Sequence, residues 1–255
     1  MIKVAVCGAL GRMGGTVARL VSEASDLELA GGLDVRAGTA FGAEVFPSGE
    51  IDRLLAEKKP DVLVDFTVAA AAVGNVKAAA KHGVPCVVGT TGFTPKQRDE
   101  MKRAVESSVP AVITSNFSVG VNIFFYLVRE AAKKLGDYDI EVLEAHHRNK
   151  KDAPSGTAKT ILEILDAEVG ARPRLYGREG MTERGKEIGV HVIRGGDIVG
   201  EHSVLFAGNQ EVIELTHRAQ DRSVFAMGAL RAIRWVGGKK PGMYSMADVL
   251  NLTPR

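Results

Sequence analysis

Cysteine is nearly missing from this chain: two residues in 255, Cys7 and Cys86. Both sit inside apolar runs, "VAVCG" and "VPCVVG", where a thiol reads as a small buried hydrophobe rather than a disulfide partner or nucleophile. A surplus of charge of one sign is missing too. Thirty-three Lys and Arg against thirty-one Asp and Glu leave +2, so the totals carry no footprint of nucleic acid or of a membrane surface. No apolar run approaches the ~18 residues of a membrane span, and "MIKVAVCG" enters a strand without a signal-peptide pattern. The expectation is a cytoplasmic protein that binds neither nucleic acid nor membrane. No internal repeat or low-complexity segment breaks the chain. What is present is a hydrophobic fraction of 45%, ordinary for a globular protein, in a length that suits one large domain or two modest ones.

The first half alternates β-branched runs with amphipathic stretches. Strands are expected at 2–6, 27–33, 61–66, 84–88 and 110–114, with helical patterns from Met13 to Ala24, Ala69 to His82 and Pro95 to Ser107. Such alternation predicts an α/β fold with a parallel sheet and right-handed crossovers. A helix follows from about Val121 to Leu135, and another from Ala158 to Glu168. The stretch between "YDIEVLEAHH" and "QEVIELTHRA" is otherwise strand-rich, which predicts an open sheet with few helices and hence a second domain. The last segment, "FAMGALRAIRWVGGKKPGMYSMADVL", is helical again and is free to return to the first domain.

"VAVCGALGRMGG" places Gly8, Gly11 and Gly14 between the first strand and first helix. Glycines there let the backbone turn sharply and approach a pyrophosphate, whose charge the helix N-terminus meets. The spacing is GxxGxxG, with Leu10 at the usual second glycine, so a glycine turn without a ligand is the competing reading. Asp34, twenty positions after Gly14, stands where an acidic residue accepts from the adenosine ribose. A solvated strand-end aspartate would explain it equally simply, but the joint spacing favours a dinucleotide. A carboxylate there repels a 2′-phosphate, while Arg12 and Arg36 lie near enough in sequence to offset it. NADH is expected first and NADPH second. The small polar loops "VGTTGF" (88–93) and "TSNFSVG" (114–120) follow the fourth and fifth strands, where a parallel sheet faces its ligand; plain turn chemistry is the alternative.

The densest chemistry lies in "EAHHRNKKDAPSGTA", residues 144–158. A strand ends at two histidines, two lysines follow, and Ser155 is placed to cap a helix whose first turn holds Gly156 and Thr157. Three readings compete. Adjacent histidines on a strand point to opposite faces, and no HxxxH or cysteine partner stands nearby, so no metal is expected. A solvated basic loop is possible on composition. An acid–base site beside an anion cradle suits reduction of an anionic C=N or C=C substrate, which must be protonated after hydride addition. With a nucleotide cradle upstream, that third reading fits best.

That stretch strongly resembles the signature of the dihydrodipicolinate reductase family, and "GALGRMG", "VGTTGF", "NFSVGVN" and "HRAQDRSVFAMGA" match it in order, so the resemblance spans nearly the whole chain. It implies a Rossmann-like dinucleotide-binding domain over 1–117, rejoined by about 220–255. It also implies an α+β mixed-sheet domain over 118–219 that binds a dicarboxylate substrate and builds a homotetramer. The implied activity is NAD(P)H-dependent formation of tetrahydrodipicolinate in lysine and diaminopimelate biosynthesis. By the same resemblance His146 is the proton donor and Lys150 a second one, while His147, Gly156 and Thr157 contact the substrate carboxylates. Cofactor contacts fall on Gly8, Ala9, Leu10, Gly11, Arg12, Met13, Asp34, Gly89, Thr90, Thr91, Thr114, Ser115, Asn116 and Phe117, with Arg222 and Phe225 flanking the adenine. Many members carry an arginine after the acidic residue; here Val35 stands there. The alternatives are a relative reducing another imine or unsaturated acid, and a nucleotide sensor without turnover. A semialdehyde dehydrogenase would need an exposed reactive cysteine, which Cys7 and Cys86 do not offer.

Overall fold

The computed structural model describes residues 1–252. Two compact units emerge: residues 1–119 with the described residues from 223 on, and residues 120–222. The first unit opens with β1 (Ile2–Cys7), α1 (Arg12–Glu23) and β2 (Leu27–Asp34). A hairpin of β3 (Gly38–Ala40) and β4 (Ala43–Pro47) and the helix α2 (Ile51–Lys58) follow. Then come β5 (Val62–Asp65), α3 (Ala69–Lys81), β6 (Cys86–Val88), α4 (Pro95–Val105) and β7 (Pro110–Ile113). The start of α4 is fixed locally: Thr94 and Gln97 form a capping box and Pro95 occupies the first turn.

The second unit contains most of α5 (Val119–Ala132), then β8 (Asp139–His146), α6 (Gly156–Val169), β9 (Arg174–Tyr176), β10 (Ile188–Arg194), β11 (Gly200–Ala207) and β12 (Val212–Ala219). Its sheet runs β12-β11-β8-β10-β9, antiparallel on one side of β8 and parallel on the other. The mixed sheet implied by the family resemblance is present. Its core joins Ile140, Val142, Val204 and Phe206 to Phe124 and Val128 of α5 and Ile161 and Leu165 of α6.

The chain then returns to the first unit as α7 (Ser223–Val236), β13 (Gly242–Tyr244) and α8 (Met246–Val249). The completed sheet is β13-β7-β6-β5-β1-β2-β4-β3, parallel except for the β3–β4 pair. One face packs on α1, α7 and α8 and the other on α2, α3 and α4, the doubly wound arrangement expected. The β3–β4 hairpin, α2 and β13 were not anticipated. The hairpin turns through Phe41 and Gly42, both at positive φ (48° and 83°), where Asn-Gly is the usual signal. The other two are two turns and three residues long, too short to display a period.

Candidate active site

Along β8 the helix-covered face of the second sheet changes character. Ile140, Val142, Glu144 and His146 alternate onto that face and are all buried. Register stacks their neighbours in layers: Val142 beside Val204 and Val190, Glu144 beside His202 and Val192, and His146 beside Arg194. The apolar stripe therefore ends in two polar layers at the C-terminal end of β8.

Glu144 organises them. Its Oε1 accepts the Ser155 N–H at 2.9 Å and Arg194 Nη2 at 2.8 Å. Its Oε2 lies 2.6 Å from His146 Nδ1 and accepts Arg194 Nη1 at 2.8 Å. Burial alone would raise this carboxyl, but the bonds from His146, Arg194 and the Ser155 N–H prevail and hold its pKa at about 2. Arg194 Nη2 also donates to the Asp152 carbonyl at 2.6 Å, fastening the loop between β8 and α6.

Ser155 caps α6 as expected, its Oγ accepting the Ala158 N–H at 3.2 Å. The same Oγ is hydrogen-bonded to His202 Nε2, 3.1 Å away. Burial above all, then the neighbouring His146, pushes the His202 pKa down to about 3, so this ring is neutral. The His146 and His202 rings meet edge-on with centroids 5.1 Å apart. A Cβ on Gly200 would stand 3.1 Å from His146 Nε2; the glycine leaves room for that ring. Lys150 rests on Asp152 at 2.9 Å. Although partial burial would raise Asp152, the Lys150 ammonium holds it below its ordinary value. The first turn of α6 is open at Gly156, where a Cβ would meet nothing within 4 Å.

Glu144, His146 and His202 place ligand-type atoms within 4.8 Å of one another. Each oxygen of Glu144 already receives two hydrogen bonds, one of each pair from Arg194. A cation there would have to displace the guanidinium.

In the first unit Gly8 sits at φ 81°, and a Cβ on Gly14 would fall 2.0 Å from the Gly8 carbonyl oxygen. The start of α1 thus lies directly on the turn, with Gly11 as an N-cap that makes no side-chain bond. A cavity of about 870 Å³ opens there, lined by Gly8, Gly11, Asp34, Val35, Thr67 and Lys81 among others. Asp34 anchors the loop: Oδ2 accepts the Leu10 N–H at 2.8 Å and Oδ1 the Val35 N–H at 2.7 Å. Among the described residues the cations lining this cavity are Lys77 and Lys81, not Arg12 or Arg36. The Phe117 ring is buried against Phe66, centroids 5.8 Å apart, so only its backbone can serve a cofactor. Phe225, on α7 at the α1 side of the sheet, does not line the cavity. Burial drives the Cys86 thiol up to about 12 and the Cys7 thiol well above its ordinary value, which removes both as nucleophiles.

Residues 2–117 match the family model "Dihydrodipicolinate reductase, N-terminus" and residues 120–250 the model "Dihydrodipicolinate reductase, C-terminus". The chain belongs to the dihydrodipicolinate reductase family. The 4-hydroxy-tetrahydrodipicolinate reductase of Methanoculleus marisnigri is 69% identical over 252 residues, covering 99% of this chain and 100% of that relative. Its counterpart in Methanocaldococcus jannaschii is 51% identical over 269 residues, covering 99% and 98%. A dipicolinate-bound dihydrodipicolinate reductase from Paenisporosarcina sp. TG-14 shares the architecture, with a TM-score of 0.82 at 25% identity over 96% of this chain and 97% of that one.

Within this dihydrodipicolinate reductase fold, four buried or half-buried polar residues escaped sequence reasoning. Glu144 had a usable signal, since it stands two places before His146 on one strand and so shares its face. Arg194 and His202 lie 50 and 58 positions further on and reach Glu144 and Ser155 only through sheet pairing. Asp65 ends β5, 1% exposed, and accepts hydrogen bonds from Thr67, Thr90 and Asn75. It ties together the loops that follow β5 and β6.

Proposed function

We propose that the protein is an NAD(P)H-dependent 4-hydroxy-tetrahydrodipicolinate reductase of lysine and diaminopimelate biosynthesis. In this reading the first unit holds the dinucleotide and the second binds the dicarboxylate. The observation that carries it is the buried histidine His146, hydrogen-bonded through Nδ1 to Glu144 beside an open helix start. That pairing sets an imidazole next to an anion cradle.

Gly8, Gly11 and Gly14 give the close backbone approach a pyrophosphate needs, and Asp34 has lone pairs left for ribose hydroxyls. The loops at Gly89–Thr91 and Thr114–Phe117 complete the cofactor side. When bound, the nicotinamide supplies the hydride. His146 Nε2 is the atom that delivers the proton to the carbon next to the reduced one. Lys150 attracts a substrate carboxylate, which replaces Asp152 as its partner, and supports the proton transfer. The N–H groups of Gly156 and Thr157, together with His147, receive the carboxylates. NADH is used at least as well as NADPH, because Val35 and not an arginine directly follows Asp34 and Arg36 does not line the cavity. A homotetramer fits the exposed Ile193 and Val212 on the sheet face opposite α5 and α6.

The test is loss of NADH absorbance on freshly generated 4-hydroxy-tetrahydrodipicolinate. Binding of NADH without turnover of this substrate would remove the reading, and turnover of a different imine would redirect it.

A further inference from the structure

We infer that Glu144, clamped by Arg194, is a positioning residue that fixes which nitrogen of His146 exchanges its proton. This rests on the reading of His146 as the proton donor. Four groups converge on the two oxygens of Glu144: the Ser155 N–H, both terminal nitrogens of Arg194, and His146 Nδ1. An ionised carboxylate can only accept, so Nδ1 must carry hydrogen in the neutral and in the charged ring alike. The proton that comes and goes is then the one on Nε2, the atom facing the space left by Gly200.

The carboxylate itself cannot drift. It is held by its own strand β8, by Arg194 from β10, and by the first residue before α6. Arg194 meets it with both arms of its fork, at 2.8 Å each, which fixes the plane of the carboxylate as well as its charge. A glutamine at 144 could not substitute. Whichever way the amide turned, its NH2 would face Arg194 and either His146 or the Ser155 N–H, setting donor against donor. Facing His146, it would favour the tautomer with hydrogen on Nε2 and none on Nδ1.

The first measurement reads the wild-type ring. In 15N-histidine-labelled protein, with His146 assigned by its loss in His146→Gln, long-range 15N–1H spectra report the tautomer of the neutral ring. Hydrogen on Nδ1 and a bare Nε2 is expected; the Nε2–H tautomer would overturn the inference. The second is a cycle on kcat with Glu144→Gln, His146→Gln and the double variant. Glu144→Gln should lose roughly 10²–10⁴ in kcat, as a wrongly set histidine does, while KM for NADH and for the dicarboxylate stays within about twofold. The double variant should be no slower than His146→Gln alone, because the two act as a unit. Independent, multiplying losses would make Glu144 merely structural and sink the proposal. Near-normal turnover by Glu144→Gln beside a crippled His146→Gln would overturn only this inference. Near-normal turnover by His146→Gln would instead overturn the proton-donor reading. If Glu144→Gln does not fold, the wild-type tautomer still decides.

Discussion

Ser155 and His202 are joined by a 3.1 Å hydrogen bond that ties the cap of α6 to β11. The same Oγ accepts the Ala158 N–H, and burial keeps the His202 ring neutral. The same serine's N–H is bound to Glu144. One cap residue thus connects a carboxylate held ionised to a histidine held neutral near neutral pH.

This arrangement makes the second unit sensitive to acid. His202 is held near 3 in the fold against an ordinary 6.5, so between those values the unfolded chain binds the extra proton. Its contribution to stability is complete above pH 6.5 and is lost as pH falls toward 3, on the order of 5 kcal/mol at most. Glu144, held at about 2 against an ordinary 4.5, adds a loss in the same direction below pH 4.5. Urea unfolding at several pH values between 7 and 5 should show stability falling in the wild type and a shallower slope in His202→Gln. An unchanged slope would mean that the folded protein tolerates a charged His202.

The fold was readable where pattern and length agree. The strands β1, β2 and β5 and the helices α3 and α6 lay within a few residues of expectation, since a strand buried on both faces reads as a continuous apolar run and a helix as an apolar stripe. The β3–β4 hairpin was not readable, because Phe41 adopts the positive φ that Asn or Gly normally advertises. At the site the helix cap at Ser155 followed from local spacing. Arg194 and His202 did not, because sheet register brings them to Glu144 and Ser155 from half a hundred residues away. Asp65 resembled any strand-end aspartate until its three side-chain donors were in place.

Cofactor preference turns on one position. Val35 is 80% exposed beside Asp34 at the rim of the nucleotide cavity. The two cations that line that cavity among the described residues are already engaged, Lys77 by Glu100 and Lys81 by Asp52. Wild-type kcat/KM should therefore be at least as high with NADH as with NADPH. Val35→Arg should raise the NADPH value about ten- to a hundredfold, the worth of one charge-assisted hydrogen bond. A strong NADPH preference in the wild type would show that Lys77, Lys81 or Arg36 leaves its present place to hold the phosphate.

Gly200 tests the space around His146. An added methyl group would lie 3.1 Å from Nε2 and 3.4 Å from Cδ2 of that ring, closer than comfortable contact. Gly200→Ala should displace the imidazole by a few tenths of an ångström and lower kcat about tenfold. NADH binding, measured by fluorescence titration, should not change. Unaltered kcat would mean that the ring has freedom to reorient without penalty.

The strongest expectation concerns His146 and Lys150 together. Reduction of a conjugated imine leaves electron density that only a proton can quench. At the end of β8 His146 supplies a ring held by a buried anion, and in the loop that follows Lys150 supplies a cation on a flexible stem. A positioned general acid contributes ~10²–10⁴ in rate, about 3–5 kcal/mol of barrier. His146→Gln should lower kcat by that order while NADH binding persists, since the nucleotide loops lie in the other unit. Lys150→Ala should act differently. Its ammonium now sits 2.9 Å from Asp152, so its removal takes away the charge that draws in a carboxylate as well as a proton source. KM for the dicarboxylate should rise along with the fall in kcat. Steady-state kinetics with both substrates varied separates the two patterns. A loss below tenfold in kcat for either variant, with the fold intact by circular dichroism, would reduce the loop to a solvated surface.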